Sequence, residues 1–302
     1  FRAINERIHK PVALKILYRG YEKGSDSEHR FLREARVASS LGHPNIIEVF
    51  DLGHLDDGKP FQVMELLEGQ SLAQRIQSEG ALTEPDVVEI AEQVLSALEA
   101  AHEGGVVHRD LKPDNVFLVQ LRGVILAKLL DFGVSKVLTE QTHSITKTGV
   151  VVGTPYYLSP EQARGMRDID HRVDLWAMGV LLYEALTGVL PFNAASYDEL
   201  LRKILGGKPV PPSRFQARLT PDLEAVVLRA LSANRDDRPE SAGAMLASLR
   251  RAKSARTSGR PIGSRRVEAE PVATSRDAPD ERGSSVEPTM GELIEGPPSP
   301  DE

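Results

Sequence analysis

The 302-residue sequence contains no cysteine, which excludes disulfides, thiol nucleophiles and Cys-ligated zinc and fits a reducing compartment. No apolar run approaches the roughly eighteen residues that a membrane-spanning helix needs, and the start carries no signal-peptide pattern. No internal repeat of fixed period is present. A large excess of positive charge is lacking as well: the net charge is -7, which argues against bulk attraction to nucleic acid or an anionic membrane. Glycine is missing from the first nineteen residues, Gly20 being the first, so no Gly-x-Gly-x-x-Gly turn can cradle a phosphate there. What is present, 40% hydrophobic and 27% charged side chains, suits a soluble chain able to bury a sizeable core. A cytoplasmic location is the corresponding expectation.

Two zones differ in composition. Up to about Arg251, strand-like and helix-like apolar periodicities alternate with Gly, Pro and Asn punctuation. Residues 252–302 are rich in Ser, Pro, Arg, Glu and Gly, with isolated large apolar residues such as Ile262 and Ile294; such a segment cannot offset its ordering entropy and is expected to be a disordered tail. The tail begins basic and ends acidic.

Within the folded zone PVALKIL and KPFQVMELL are short apolar runs expected as strands. Between them HRFLREARVASSLG sets Phe31, Ala35 and Ala38 on one helical face and stops at Gly42. A longer helix follows, with Thr83 as N-cap, Pro85 in the first turn, a stripe of Val87, Ile90, Val94 and Leu98, and Gly104–Gly105 as a stop. VDLWAMGVLLYEALTG is apolar on nearly every face and predicts a helix buried inside a helical layer. SYDEL opens another helix with a capping box from Ser196 to Glu199. Strands first and helices later imply an α+β chain of two lobes with a cleft between them.

The chemistry is concentrated in VVHRDLKPDNVFLV, where His108, Arg109, Asp110, Lys112 and Asn115 share a loop signalled by Pro113 and Asp114. Asp131-Phe132-Gly133 follows at the end of the apolar run VILAKLL. Taken with VALK (Lys15), FLREAR (Glu34), GTPYYLSPE (Gly153 to Glu161), DLWAMG (Asp174) and DDRP (Arg238), the order and spacing resemble the protein kinases. The likeness is greatest to the bacterial serine/threonine kinases of eukaryotic type and covers residues 1–251. It implies an N-terminal β-rich lobe over 1–66 and a helical lobe over 67–251.

The resemblance implies ATP and Mg²⁺ as cofactors and protein serine or threonine hydroxyls as acceptors. Phosphoryl transfer needs metal ligands and cations around the γ-phosphate, and Asp131 and Asn115 offer hard oxygen donors. Lys15 would reach the α- and β-phosphates, held by an ion pair with Glu34. Asp110 would orient the acceptor hydroxyl and Lys112 would neutralise the transferring phosphate, with Thr154 tying the two together. By the same likeness Ala13, Met64, Glu65, Leu67 and Phe117 would surround adenine. Glu161 and Arg238 would form a buried ion pair, Asp174 would anchor the catalytic loop, and His108 and Phe132 would be structural. Thr146 and Thr148 are expected autophosphorylation sites paired with Arg109, in a kinase–kinase dimer.

A second reading, a pseudokinase or nucleotide-sensing scaffold that acts by partner binding, usually goes with loss of the lysine or of either aspartate. Lys15, Asp110 and Asp131 all stand here. The family's Gly-rich loop, which closes over the ATP phosphates, has no counterpart ahead of VALK. A chain starting at Phe1 is therefore expected to be a fragment that binds ATP weakly.

Overall fold

β-Branched and apolar runs in the first part of the chain pair into a sheet in the computed structural model, which describes residues 1–17, 24–121, 123–132 and 155–258. All of these lie in the first of the two units into which the chain divides, Phe1–Ile262 and Gly263–Glu302. Strands β1 (Arg2–Asn5), β2 (Lys10–Ile16), β3 (Val49–His54) and β4 (Pro60–Glu65) form an antiparallel sheet in the order β1-β2-β4-β3. Its register pairs Ala13 with Met64 and Lys15 with Gln62. Residues two apart on a strand, and their direct cross-strand partners, share a face. Ala13, Lys15, Met64 and Gln62 therefore line one side of the sheet.

Helix α1 (Asp26–Leu41) begins at Ser25, whose side chain accepts the Glu28 N–H, and ends at Gly42 in the left-handed conformation, φ 54°. Glycine reaches that region without a Cβ penalty. Phe31, Ala35 and Ala38 are all buried. The Gln62 amide donates to the Phe31 carbonyl at 2.8 Å, so the helix bearing Glu34 is tied to the strand opposite Lys15.

A second antiparallel sheet, β5 (Gly69–Ser71), β6 (Val116–Leu121) and β7 (Val124–Leu129), starts just past the end of β4. Ile46, three residues ahead of β3, forms an isolated parallel bridge with Leu129 of β7. Helix α2 (Leu72–Glu79) follows β5 directly, and α3 (Glu84–Glu103) carries the expected stripe, with Val87, Ile90, Val94 and Leu98 all buried. A short helix α4 (Pro160–Ala163) then precedes α5 (Arg172–Thr187), α6 (Tyr197–Gly206), α7 (Pro221–Ala230) and α8 (Ala242–Ser258).

Helix α5 is the centre of the core. Thirteen of its sixteen residues are buried, which is why its sequence shows no polar face. A Cβ at Gly179 would lie 2.8 Å from the Ala230 Cβ, so glycine there sets how closely α7 approaches. At the start of α6 Ser196 accepts the Glu199 N–H. The Glu199 carboxylate forms an ion pair with Lys203 at 3.0 Å, and the expected reciprocal capping box is not the arrangement formed.

The tail boundary moves. Helix α8 runs to Ser258, past the boundary expected at Arg251, because Ala252 and Ala255 are buried and Lys253 donates to Glu92 of α3 at 2.8 Å. The alanine spacing is what the composition of this stretch hides. Ending the chain at Arg251 removes two buried methyl groups and this rim ion pair, so it should cost about 1–2 kcal/mol relative to ending at Ser258. Urea unfolding of the two truncations measures the difference, and identical midpoints would contradict it.

Candidate active site

The loop between α3 and β6 is built by its own backbone and by one side chain beneath it. Pro113–Asn115 makes a 3₁₀ turn, in which the Asn115 N–H donates to the Lys112 carbonyl at 3.0 Å. Asp174, in the first turn of α5, is fully buried. Its Oδ2 accepts the His108 N–H at 2.8 Å and its Oδ1 accepts the Arg109 N–H at 2.8 Å. Arg109 is held at φ 64°, a left-handed conformation that costs a non-glycine residue roughly 1–2 kcal/mol. The two charge-assisted bonds to Asp174 offset that cost.

Above this anchor the functional side chains converge. Lys112 Nζ lies 3.3 Å from Asp110 Oδ2. Asn115 Nδ2 donates to the Asp110 carbonyl at 2.8 Å, which leaves the amide oxygen as its remaining polar atom. The Leu130 N–H donates to the Asn115 carbonyl at 2.8 Å, placing Asn115 beside the residue before Asp131. His108 fastens the same junction: its Nε2 donates to the Leu130 carbonyl at 3.0 Å, its Nδ1 accepts the Asp110 N–H at 3.3 Å, and its ring lies 4.9 Å from that of Phe132.

Lys15, Glu34, Gln62, Met64, Asp131 and Phe132 line one cavity of about 200 Å³ between the first sheet, α1 and the end of β7. The expected pairing inside it is corrected. Lys15 Nζ forms its ion pair with Asp131 Oδ1, not with Glu34, because the ammonium and the carboxylate, both at the cavity mouth, satisfy each other across it. Their side chains are 37% and 48% exposed, and a pair that open contributes only about 0–1 kcal/mol. It can exchange partners at little cost. Asp131 sits at φ 43°, a second left-handed non-glycine residue in the site.

Behind the loop lies an ion pair of the opposite kind. Arg238 donates from both Nη atoms to Glu161, at 2.7 and 2.8 Å, with side chains 0% and 4% exposed. The same guanidinium also reaches the Ser232 and Arg172 carbonyls, at 2.9 and 3.0 Å. Gln162, next to Glu161, donates to the Arg109 carbonyl at 3.2 Å, linking α4 to the loop. The Tyr157 hydroxyl donates to Glu184 of α5. Burial pushes the Tyr157 hydroxyl well up from its ordinary value, reinforced by the Glu184 charge, and burial raises Glu184 as well.

The sequence matches the protein kinase domain family over residues 1–248. The chain belongs to the protein kinases. It is 46% identical over 254 residues to the serine/threonine-protein kinase pkn3 of Myxococcus xanthus, covering 82% of this chain and 46% of that protein. To the serine/threonine-protein kinase PknB of Mycolicibacterium smegmatis it is 39% identical, over 80% of this chain and 39% of the relative. It thus spans less than half the length of either. Among solved structures, Rad53 residues 1–466 in complex with AMP-PNP superposes with a TM-score of 0.66 at 30% identity, covering 81% of this chain and 59% of that one. The PknI kinase domain of Mycobacterium tuberculosis gives 0.62 at 28% identity, over 80% and 85%.

Of the residues expected at the site, the structure gathers Lys15, Glu34, Met64, Asp131 and Phe132 around this one cavity and sets His108, Arg109, Asp110, Lys112 and Asn115 in the loop between α3 and β6. Ala13 shares the cavity's sheet face, while Glu65, Leu67 and Phe117 lie outside its lining. Thr146, Thr148, Gly133 and Thr154 fall outside the described residues. Two residues that the sequence reading passed over bear on the site. His102 bonds Asp174 Oδ2 through Nε2 at 2.8 Å; it sits four residues beyond Leu98 on the buried stripe of α3, a histidine where an apolar residue was due. Lys128 is buried between Ala127 and Leu129 and pairs with Glu65 at 2.6 Å, and a lysine inside VILAKLL was the signal.

Removing one partner of the Glu161–Arg238 pair strands a charge, at about 3–5 kcal/mol. Glu161→Leu should therefore lower the melting temperature by roughly 6–20 °C, and calorimetry showing a fall of under about 2 °C would contradict the assigned burial.

Proposed function

We propose that this chain transfers the γ-phosphoryl group of ATP to serine and threonine hydroxyls of proteins. The observation that carries the reading is the placement of Asp110, with Lys112 at 3.3 Å, on a loop pinned from below by Asp174 and joined through Leu130 to Asp131. The acceptor hydroxyl gives its proton to an Asp110 oxygen as its own oxygen bonds to the γ-phosphorus, and the bond to the β–γ bridging oxygen breaks, releasing ADP. Lys112 faces the charge that spreads over the phosphoryl oxygens. Lys15 leaves Asp131 for the α- and β-phosphates, an exchange favoured by the exposure of that pair. The curated names of pkn3 and PknB, and the AMP-PNP bound to Rad53, support both the nucleotide and the acceptor class.

The donor set fits Mg²⁺. Asp131 supplies a carboxylate and Asn115 an amide oxygen, while no cluster of three or more His, Asp or Glu able to hold a metal exists among the described residues. One or two protein oxygens, with phosphate oxygens and water completing the shell, is how Mg²⁺ is usually held beside a nucleotide. Bound there, it would neutralise the β- and γ-phosphate charge. Asp131→Asn and Asp110→Asn should each lower phosphate transfer to dephosphorylated casein by about two to four orders of magnitude with melting temperatures near wild type. Transfer at wild-type rate in either variant would overturn the mechanism.

Regulation follows from Arg109, whose Nε is buried with no hydrogen-bond partner among the described residues. A phosphate on Thr146 or Thr148 of a kinase, transferred by a second copy, would supply the acceptor oxygens. Mass spectrometry of the active protein should find phosphate on one or both. Full activity of the Thr146→Ala/Thr148→Ala double variant would remove the idea. Among the described residues no helix is long and apolar enough to cross a membrane, and the substrates proposed here are proteins.

A further inference from the structure

Lys128, in β7, is a buried charged residue for which the phosphoryl transfer described above has no use. Its Nζ donates to Glu65 Oε1 at 2.6 Å and to the Ile46 carbonyl at 3.4 Å, and the side chains of this ion pair are 11% and 20% exposed. Resting on the kinase reading above, we propose that Lys128 is a positioning residue for ATP: by holding Glu65 it sets the gap between the two sheets into which the adenine ring fits.

Glu65 is the last residue of β4 and follows Met64. Successive side chains on a strand point to opposite faces, so Met64 lines the nucleotide cavity and Glu65 does not. On its own side Glu65 is fastened to the segment leading into β3: its N–H donates to the Glu48 carbonyl at 3.0 Å, and its Oε1 accepts the Glu48 N–H at 2.9 Å. Lys128 adds a bond from the second sheet. It stands directly opposite Phe117 across β6 and β7, and such partners share a face. Phe117, expected beside adenine, and the lysine that grips the end of β4 therefore occupy one face of one sheet. Ala13 and Met64, also expected beside adenine, are paired in the other sheet. Lys128 itself lines a separate cavity of about 420 Å³, divided from the nucleotide cavity by Ala38, Ile47 and Val49, which line both. Its action on the nucleotide is thus through Glu65. Lys15 and Asp131, far more exposed, part when Lys15 turns to phosphate, whereas Lys128 and Glu65 stay joined and hold the gap while the nucleotide enters.

A gap no longer fixed has the width of adenine for only part of the time, and apparent affinity falls by that fraction. Once nucleotide is bound the gap is set again, so the expected loss is in affinity and not in kcat. A lysine that only stabilised the fold would lower the melting temperature on replacement and leave nucleotide affinity alone. Titration calorimetry of the full-length protein with AMP-PNP and Mg²⁺ reads the affinity, and steady-state transfer to dephosphorylated casein at saturating ATP reads kcat. Lys128→Met removes the charge from an unbranched chain and should weaken AMP-PNP binding about 5- to 30-fold, with kcat within about threefold of wild type. Lys128→Arg keeps the cation, has room in the adjoining cavity, and should bind within about threefold of wild type. In Glu65→Gln/Lys128→Met the pair is already broken, so binding should match Lys128→Met within about twofold. Wild-type affinity in Lys128→Met, a loss confined to kcat, an arginine variant as weak as methionine, or a double variant weaker than Lys128→Met by more than about threefold would each overturn the proposal. Should Lys128→Met not fold, Lys128→Gln, whose amide ends short of Glu65, takes its place with the same expectation, and wild-type affinity there would overturn the proposal. Failure of the wild-type protein to bind AMP-PNP would instead overturn the kinase reading on which it rests.

Discussion

A carboxylate with 1% of its side chain exposed cannot stay charged inside a helical core unless donors replace the water it has lost. Asp174 meets that demand with the His108 and Arg109 amides, and the rest of the site follows. The Arg109 backbone can remain at φ 64° because the carboxylate holds its N–H. The turn that brings Lys112 and Asn115 to Asp110 begins from that strained residue. Helix α5, apolar on all sides, supplies a rigid base for the bond, since little in a close-packed interior can yield.

Two ion pairs show how the same interaction serves opposite ends. Arg238 and Glu161 are buried, bidentate and surrounded by further carbonyl acceptors, so parting them leaves an uncompensated charge and the segment around α4 stays put. Lys15 and Asp131 are partly exposed at the cavity mouth, where water screens the attraction. The first pair holds a position, and the second leaves its members able to exchange partners at little cost. Gln162 joins the rigid pair to the catalytic loop through the Arg109 carbonyl.

Much of the fold was legible because local signals agree with the tertiary structure. Thr83 caps α3 by accepting the Asp86 N–H, and the unbroken apolar pattern of α5 announced a buried helix. The order and spacing of the kinase motifs pointed to the family whose domain matches residues 1–248. Pairing within the cavity was less legible: spacing cannot say whether Lys15 meets Glu34 or Asp131, since both lie within reach in space and neither is near in sequence. The end of α8 was hidden for another reason. Ser, Arg and Lys around Ala252 and Ala255 read as solvated chain until α3 provides the surface that buries the two methyl groups. His102 escaped notice because a histidine on a buried stripe carries no motif, and its worth depends on a carboxylate 72 residues away.

The account stands on Asp174 holding the catalytic-loop backbone, and amide hydrogen exchange reads that bond directly. In the wild-type protein the His108 and Arg109 amides should exchange as slowly as core amides of α5 such as Leu181. In Asp174→Asn they should exchange at least about a hundredfold faster while Leu181 stays protected. Rapid exchange of both amides in the wild-type protein, or unchanged protection in the variant, would contradict it.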